Sequence, residues 1–410
     1  MFKSLNINYK LDLHYNYFCQ KIRKMKITLV FSILAILTVG CAQTNSDSKK
    51  DTVIPVKKVE VNLKKQYILD DYLNDSIALD KEVETIFNQL DDTAIVAQLI
   101  MPAVGRLGQT DNTIQKHISD RIIGGVLMLN GTKEDFTSWI NKYNQMNDSI
   151  GNLPFLYSAD AEPSLVNKKI IGSKTVKKAN ELANIDEVRQ VAQTISNELL
   201  SIGINYNFSP VVDMSPNKTV GYRSFGAVPA NIIPWSNAFI EESQKKNIIA
   251  TAKHFPGHGL VSGDTHKSLQ MIDGELKEIG NYPELINNGV LSIMIAHIGV
   301  KNNEKYNTNG LPASISKTIV TDLLRNEYGF KGLIVTDAMN MGGVSSIVNC
   351  EVKAVDAGCD IVLMPVDAAK AHAQILTKYK TDSDFKAKVD AAAKRIIRMK
   401  IALGLMNNKQ

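Results

Sequence analysis

The chain has 410 residues, 44% of them hydrophobic and 22% charged, which excludes a disordered, collagenous or coiled-coil protein. Of its 47 basic and 42 acidic residues, six and one fall in residues 1–40, leaving 41 of each in the remainder. That neutral body gives no reason to expect a nucleic-acid partner.

In chain order, the first feature is an export signal. Lys21, Arg23, Lys24 and Lys26 precede an apolar run from Ile27 to Val39. Its thirteen residues are too few for a mature membrane-spanning helix, which needs about 20. A basic segment followed by a short apolar one reads as a signal peptide, for which Met25 is a more natural start than Met1. The run ends Thr38-Val39-Gly40-Cys41. A small residue before Cys resembles a bacterial lipoprotein cleavage box, with Thr38 standing where Leu is usual. The sequence therefore predicts lipidation at Cys41 and attachment to a membrane through that lipid alone. It predicts an exported cell-envelope protein, facing the periplasm or the cell surface. Residues 1–40 read as leader and 41–84 as a polar tether and lead-in. Cys19, Cys350 and Cys359 form no CxxC or Cys/His metal spacing, and the last two are expected to be small buried residues.

From about residue 90, short apolar runs alternate with helical patterns. The runs are Leu99–Val104, Gly125–Leu129, Phe155–Ser158, Phe208–Val212, Ile248–Ala252, Ile293–Ala296, Leu333–Val335 and Asp360–Met364. Amphipathic stretches between them include Glu187–Leu200, Pro234–Lys246, Lys317–Glu327 and Ala368–Tyr379. Eight buried strands, each followed by a helix, predict an α/β fold: a (β/α)8 TIM-type barrel forming a single catalytic domain over 85–405. A doubly wound open sheet is the alternative, but Gly105-Arg106-Leu107-Gly108 is a poor match for its glycine-rich turn.

Ionisable residues follow these runs repeatedly. Asp160 and Glu162 follow the third, Asp213 the fourth, Lys253 and His254 the fifth, His297 the sixth, and Asp337 the seventh. In a barrel the carboxyl ends of the strands converge on one face, where active sites are built. Two segments concentrate the chemistry. In the first, Lys253-His254-Phe255-Pro256-Gly257-His258-Gly259 leads through four residues to Asp264-Thr265-His266. The histidines alternate with Gly and Pro rather than taking a helical metal-binding spacing. The glycines allow a sharp, mobile exit from the strand. Asp264 beside His266 fixes an imidazole tautomer, the arrangement of a proton shuttle. In the second, Gly332-Leu333-Ile334-Val335-Thr336-Asp337 delivers one carboxylate to a strand end, as nucleophile, metal ligand or structural acceptor.

Together these segments resemble family 3 glycoside hydrolases, and within them the bacterial β-N-acetylglucosaminidase branch. Lys-His-Phe-Pro-Gly-His-Gly followed by Asp-Thr-His matches that branch with its spacing intact. Ile334-Val335-Thr336-Asp337-Ala338-Met339 and Arg223-Ser224-Phe225-Gly226 match segments of the family as a whole, with further resemblance at Phe208-Ser209-Pro210-Val211-Val212-Asp213, Pro312-Ala313-Ser314-Ile315-Ser316 and Ala357-Gly358-Cys359-Asp360. The resemblance implies Asp337 as nucleophile, His266 as general acid/base and Asp264 as its dyad partner. It implies that Asp160, Arg223, Lys253 and His254 hold the sugar. It implies no metal or organic cofactor, and a carbohydrate partner: an N-acetylglucosamine-containing saccharide or muropeptide. One departure stands out. Where the family has Asp-x-Glu-Gly-Gly-Arg and a further Arg, this chain has Asp160-Ala161-Glu162-Pro163-Ser164-Leu165, with Lys168 in place of the second Arg. Lys168 is then the expected sugar contact, with a point charge instead of a planar fork. The activity implied is a retaining exo-β-N-acetylhexosaminidase. The alternatives are a phosphorylase using the same Asp and His, or a non-catalytic glycan-binding lipoprotein.

Overall fold

The computed structural model describes Val59, Val61, Leu63 and residues 65–407. The expected leader, Cys19 and the expected lipidation site Cys41 lie outside the described residues. Seven of the eight apolar runs contribute strand, and the fourth lies just beyond one. The first is split into Ile100–Met101 and Ala103–Val104 around Pro102, which has no N–H to give to a ladder. The others are Gly125–Met128, Leu156–Ala159, Tyr206–Asn207, Ile249–Phe255, Ser292–Ile295, Leu333–Thr336 and Val362–Leu363. Every residue of these strands is buried, as continuous rather than alternating hydrophobic runs require in a sheet covered on both faces.

The strands pair in parallel and in chain order from Ala103–Val104 to Leu333–Thr336. The seventh reaches the eighth through the Val335–Ile361 bridge, and the eighth pairs with Ile100–Met101. The two halves of the first run thus serve different neighbours and close an eight-strand barrel.

One local expectation is corrected. The fourth strand is Tyr206–Asn207 rather than 208–212. Pro210 has no N–H for the ladder, and the segment beyond it keeps only the Val211–Lys253 bridge to the fifth strand. The helix Thr318–Glu327 is wound as a π-helix. Its buried Ile319, Val320, Leu323 and Leu324 fall at spacings of one, three and four, which give one apolar face.

The other helices follow their signals. Asn184 caps Ile185–Ile202 by accepting from the Glu187 N–H, and Gly203 ends it at φ 93°, a conformation that glycine adopts without penalty. Helix Ser383–Ala402 starts on Asp382. The fully buried Asp360 ties it to the barrel, accepting from Arg395 Nε at 2.8 Å and from Arg325 NH2 at 2.7 Å. Cys350 and Cys359 are free and buried. Residue 85, the expected start of the barrel domain, falls inside the helix Ile77–Phe87. That helix is joined to Ser383–Ala402 by the Glu84–Lys394 and Asp80–Arg398 ion pairs. Among the described residues, no helix is long and apolar enough to cross a membrane.

Candidate active site

The strand ends place several ionisable groups around one hollow of about 280 Å³, near the lower end of the roughly 300–1,000 Å³ usual for small-molecule sites. Its wall includes Asp160, Lys169, Arg223, Lys253, His254, His266 and Asp337. Larger hollows of about 390, 530 and 430 Å³ lie between Ser345 and Gln374, beside Tyr72 and Arg398, and between Asn349 and Thr381. None of the three is lined by any of these groups.

The floor of the site is an ion-pair cluster. Glu162 is fully buried and accepts a fork from Arg223, Nε at 2.8 Å and NH2 at 2.6 Å. The buried Lys253 ammonium lies 2.5 Å from the same carboxylate and 3.0 Å from Asp160. Burial alone would raise both carboxyls. Lys253 and Lys169 outweigh it at Asp160, and Arg223 and Lys253 outweigh it at Glu162, so both are held below the ordinary carboxylate range. Asn207, on the fourth strand, pins the segment between them: its amide donates to the Ala161 carbonyl and accepts from the Ala161 N–H. Arg223 is positioned by its own turn. Ser224 Oγ donates to the Asp213 carbonyl, and Phe225 packs against Trp235 and Phe239.

Lys168 is the one expected sugar contact that the geometry moves. It is exposed, and Lys169 lines the cavity instead, 3.5 Å from Asp160. On the short helix Val166–Lys169, residue 169 is three positions from the buried Val166 and shares its inward face. Residue 168 points away.

Asp213, fully buried at the end of the fourth run, orders the next strand. Its carboxylate accepts from the backbone N–H groups of His254 and His258, and His254 Nδ1 sits 2.6 Å from its second oxygen. That bond turns His254 Nε2 towards the cavity. Asp337 ends the seventh strand. Its N–H donates to the Ile295 carbonyl, and its Oδ1 accepts from the Ala338 N–H at 2.8 Å. Burial raises its carboxyl, but His254 and then His297 more than offset this and hold it low. His297 is buried and braced by Ser314 Oγ and the Ala338 carbonyl.

His266 reaches the same cavity from a flap. Asp264 Oδ1 accepts from both the backbone N–H and Nδ1 of His266, at 3.0 and 2.9 Å, which leaves Nε2 available. The flap touches the loop after the seventh strand, where the Gly342 and Gly343 N–H groups donate to the His266 and Thr265 carbonyls. A Cβ on Gly342 would lie 2.4 Å from the Lys267 carbonyl, so glycine permits this approach. His258 stays behind, buried against Thr265. The structure thus gathers Asp337, His266, Asp160, Arg223, Lys253 and His254 around one hollow, with Asp264 behind His266. Sequence reasoning gave no role to Glu162, Asn207 or Lys169. It also passed over Glu278, a buried carboxyl accepting three backbone N–H groups. Burial, followed by the neighbouring Asp213, pushes Glu278 up to about 8.

Residues 92–399 match the Glycosyl hydrolase family 3 N terminal domain. A β-N-acetylglucosaminidase/β-glucosidase of Cellulomonas fimi is 27% identical over 309 residues, covering 69% of this chain and 53% of that protein. A β-hexosaminidase of Hydrogenovibrio crunogenus is 30% identical over 211 residues, covering 48% of this chain and 58% of that protein. The match thus spans little more than half the length of either relative. The solved structure of a family 3 β-N-acetylglucosaminidase from Paenibacillus sp. str. FPU-7 superposes with a TM-score of 0.71 at 26% identity, over 77% of this chain and 63% of that one. With a closed parallel barrel, ionisable groups converging at its strand ends, and a family match over three quarters of its length, the chain belongs to glycosyl hydrolase family 3.

Proposed function

We propose that the chain is a β-N-acetylhexosaminidase that releases terminal β-linked N-acetylglucosamine with retention of configuration. The observation that carries this is the pairing, across one sugar-sized hollow, of a strand-end carboxylate with a flap imidazole oriented by its own carboxylate. In the first step Asp337 attacks the anomeric carbon. The bond to the leaving oxygen breaks, and His266 Nε2 gives that oxygen its proton. In the second, His266 takes a proton from water as the water displaces Asp337 from the same carbon. Asp264 keeps the ring in one tautomer. Asp160, Arg223, Lys253, Lys169 and His254 hold the sugar. The names of the relatives support the 2-acetamido sugar.

The test is turnover of a panel of aryl β-glycosides with and without the 2-acetamido group, run in phosphate-free and phosphate buffers. Release of free N-acetylglucosamine in both buffers supports the reading. Sugar 1-phosphate would make the chain a phosphorylase, and binding without turnover would make it a glycan-binding protein. We further propose that Cys41 carries a lipid and that the substrate is a cell-wall or envelope glycan. The basic and apolar leader before Cys41 supports this. Loss of labelled fatty acid and of membrane association in Cys41→Ser would establish the anchor.

A further inference from the structure

The flap that carries His266 leaves the fifth strand at Pro256 and Gly257 and returns at Gln270–Asp273, which pairs with Ile298–Lys301. Just beyond, the short helix Lys277–Asn281 folds back under the flap's outgoing limb. Its Glu278 is 3% exposed. Oε1 accepts from the Met214 N–H at 2.6 Å and the Gly259 N–H at 3.1 Å, and Oε2 accepts from the Leu260 N–H at 3.1 Å. Three donors from two segments thus converge on one carboxyl. The glycines make room for it. A Cβ on Gly257 would lie 2.6 Å from the Glu278 carboxyl, and one on Gly259 would lie 1.8 Å from the Met214 carbonyl.

The helix that bears Glu278 is itself fixed. Asn281 Nδ2 donates to the Val212 carbonyl at 2.9 Å. Tyr282, next in the chain, packs edge-on against Phe255 at 4.8 Å. Asp213 grips the limb one step earlier, through the N–H groups of His254 and His258. Between them, two buried carboxyls hold four backbone donors of residues 254–260, and Glu278 joins that limb through two hydrogen bonds to the helix that follows the flap.

We propose that Glu278 is a positioning residue that closes the root of the flap and so sets where His266 meets the leaving-group oxygen. This rests on the acid role given to His266 above. Glu278 touches neither that imidazole nor any cavity-lining side chain in the contacts described, so its effect passes through the backbone. A misplaced acid costs most where the leaving group depends on protonation.

The experiment compares Glu278→Ala with Glu278→Gln, which keeps one accepting oxygen, in the full chain. Hydrogen exchange without substrate should be at least about tenfold faster over 257–267 in Glu278→Ala, be partly restored in Glu278→Gln, and stay unchanged in the barrel strands. In Glu278→Ala, kcat for an alkyl β-glycoside should fall by about 10–100-fold with KM nearly constant. A dinitrophenyl glycoside should lose less than about threefold, and the Gln variant should lie between. If Glu278→Ala does not fold, Glu278→Asp, one methylene too short for all three donors, gives the same comparison. Unchanged flap exchange in a folded variant overturns the clamp. Faster exchange with equal losses for both leaving groups overturns its link to His266. A wild-type protein inactive on both glycosides would defeat the proposed activity, and the exchange result would still decide the clamp.

Discussion

Glu162→Gln isolates one charge in a fully packed site. The substitution preserves size and shape, so it opens no cavity. It removes the charge shared by two short Arg223 bonds and the Lys253 ammonium at 2.5 Å, and turns one of the two accepting oxygens into a donor. Asp160 then faces Arg223, Lys253 and Lys169 alone. Stripping one partner from a buried ion pair costs about 3–5 kcal/mol, because the charge left behind is not resolvated. At about 2.1 cal/mol/K per residue, the roughly 340 described residues unfold with an entropy of about 0.7 kcal/mol/K. The midpoint should therefore fall by about 4–7 °C. Thermal melts followed by circular dichroism, with urea titrations beside them, measure it. In parallel, kcat/KM for the aryl N-acetylglucosaminide should drop, since Arg223 and Lys253 lose their common anchor. A shift below about 1 °C with kcat/KM intact would refute the reasoning and mean that water or backbone replaces the carboxylate at little cost.

Asp337→Asn should lower turnover by about 10⁴-fold or more and leave the melting midpoint nearly unchanged; near-wild-type rates in a burst-free assay would remove Asp337 as nucleophile. Lys169→Ala should raise KM, and Lys168→Ala should leave both constants unchanged, because only the former lines the cavity; the reverse ranking would restore the contact expected from sequence. Stability should respond to pH with two opposite signs. Asp160, Glu162 and Asp337 are held below their ordinary values, so their contribution is full above about pH 4.5 and is lost as pH falls through the lowered values. Glu278 is raised to about 8, so its contribution is full below its unfolded value, near 4.3, and is lost as pH rises towards 8. Urea midpoints of wild type and Glu278→Gln between pH 3 and 8.5 check both. A difference between the two proteins that stays flat from pH 5 to 8 would contradict the raised value.

Seven of the eight barrel strands were legible in the sequence because strands buried on both faces are written as unbroken apolar stretches, and the fourth was read just past its end. The carboxyl-end residues were legible because the third to seventh runs each lead to a charged or polar group. The remainder was hidden for separate reasons. Glu162 is visible two positions after Asp160, but nothing linear shows that it lies between the cations of Arg223 and Lys253, 61 residues from the former. Lys169 was missed by one position, because a four-residue helix turns its neighbour outward and such a helix is too short to read from periodicity. Glu278 sits in Gly274-Glu275-Leu276-Lys277-Glu278, a string that reads as a solvated helix start. Its burial comes from Met214 and Leu260, brought together only by the barrel.

The floor of the hollow also constrains what is welcome there. Asp160, Glu162 and Asp337 balance Lys169, Arg223 and Lys253, and each of those three cations already has an anionic neighbour. A neutral polyol can trade hydroxyls into such a network without stranding any charge. A uronate or sialate would bring a further carboxylate to a wall whose three Lys and Arg cations are already paired, and would compete there with a resident anion. The expected consequence is weaker binding of acidic sugars than of their neutral counterparts, since the wall has settled its own charges before any ligand comes.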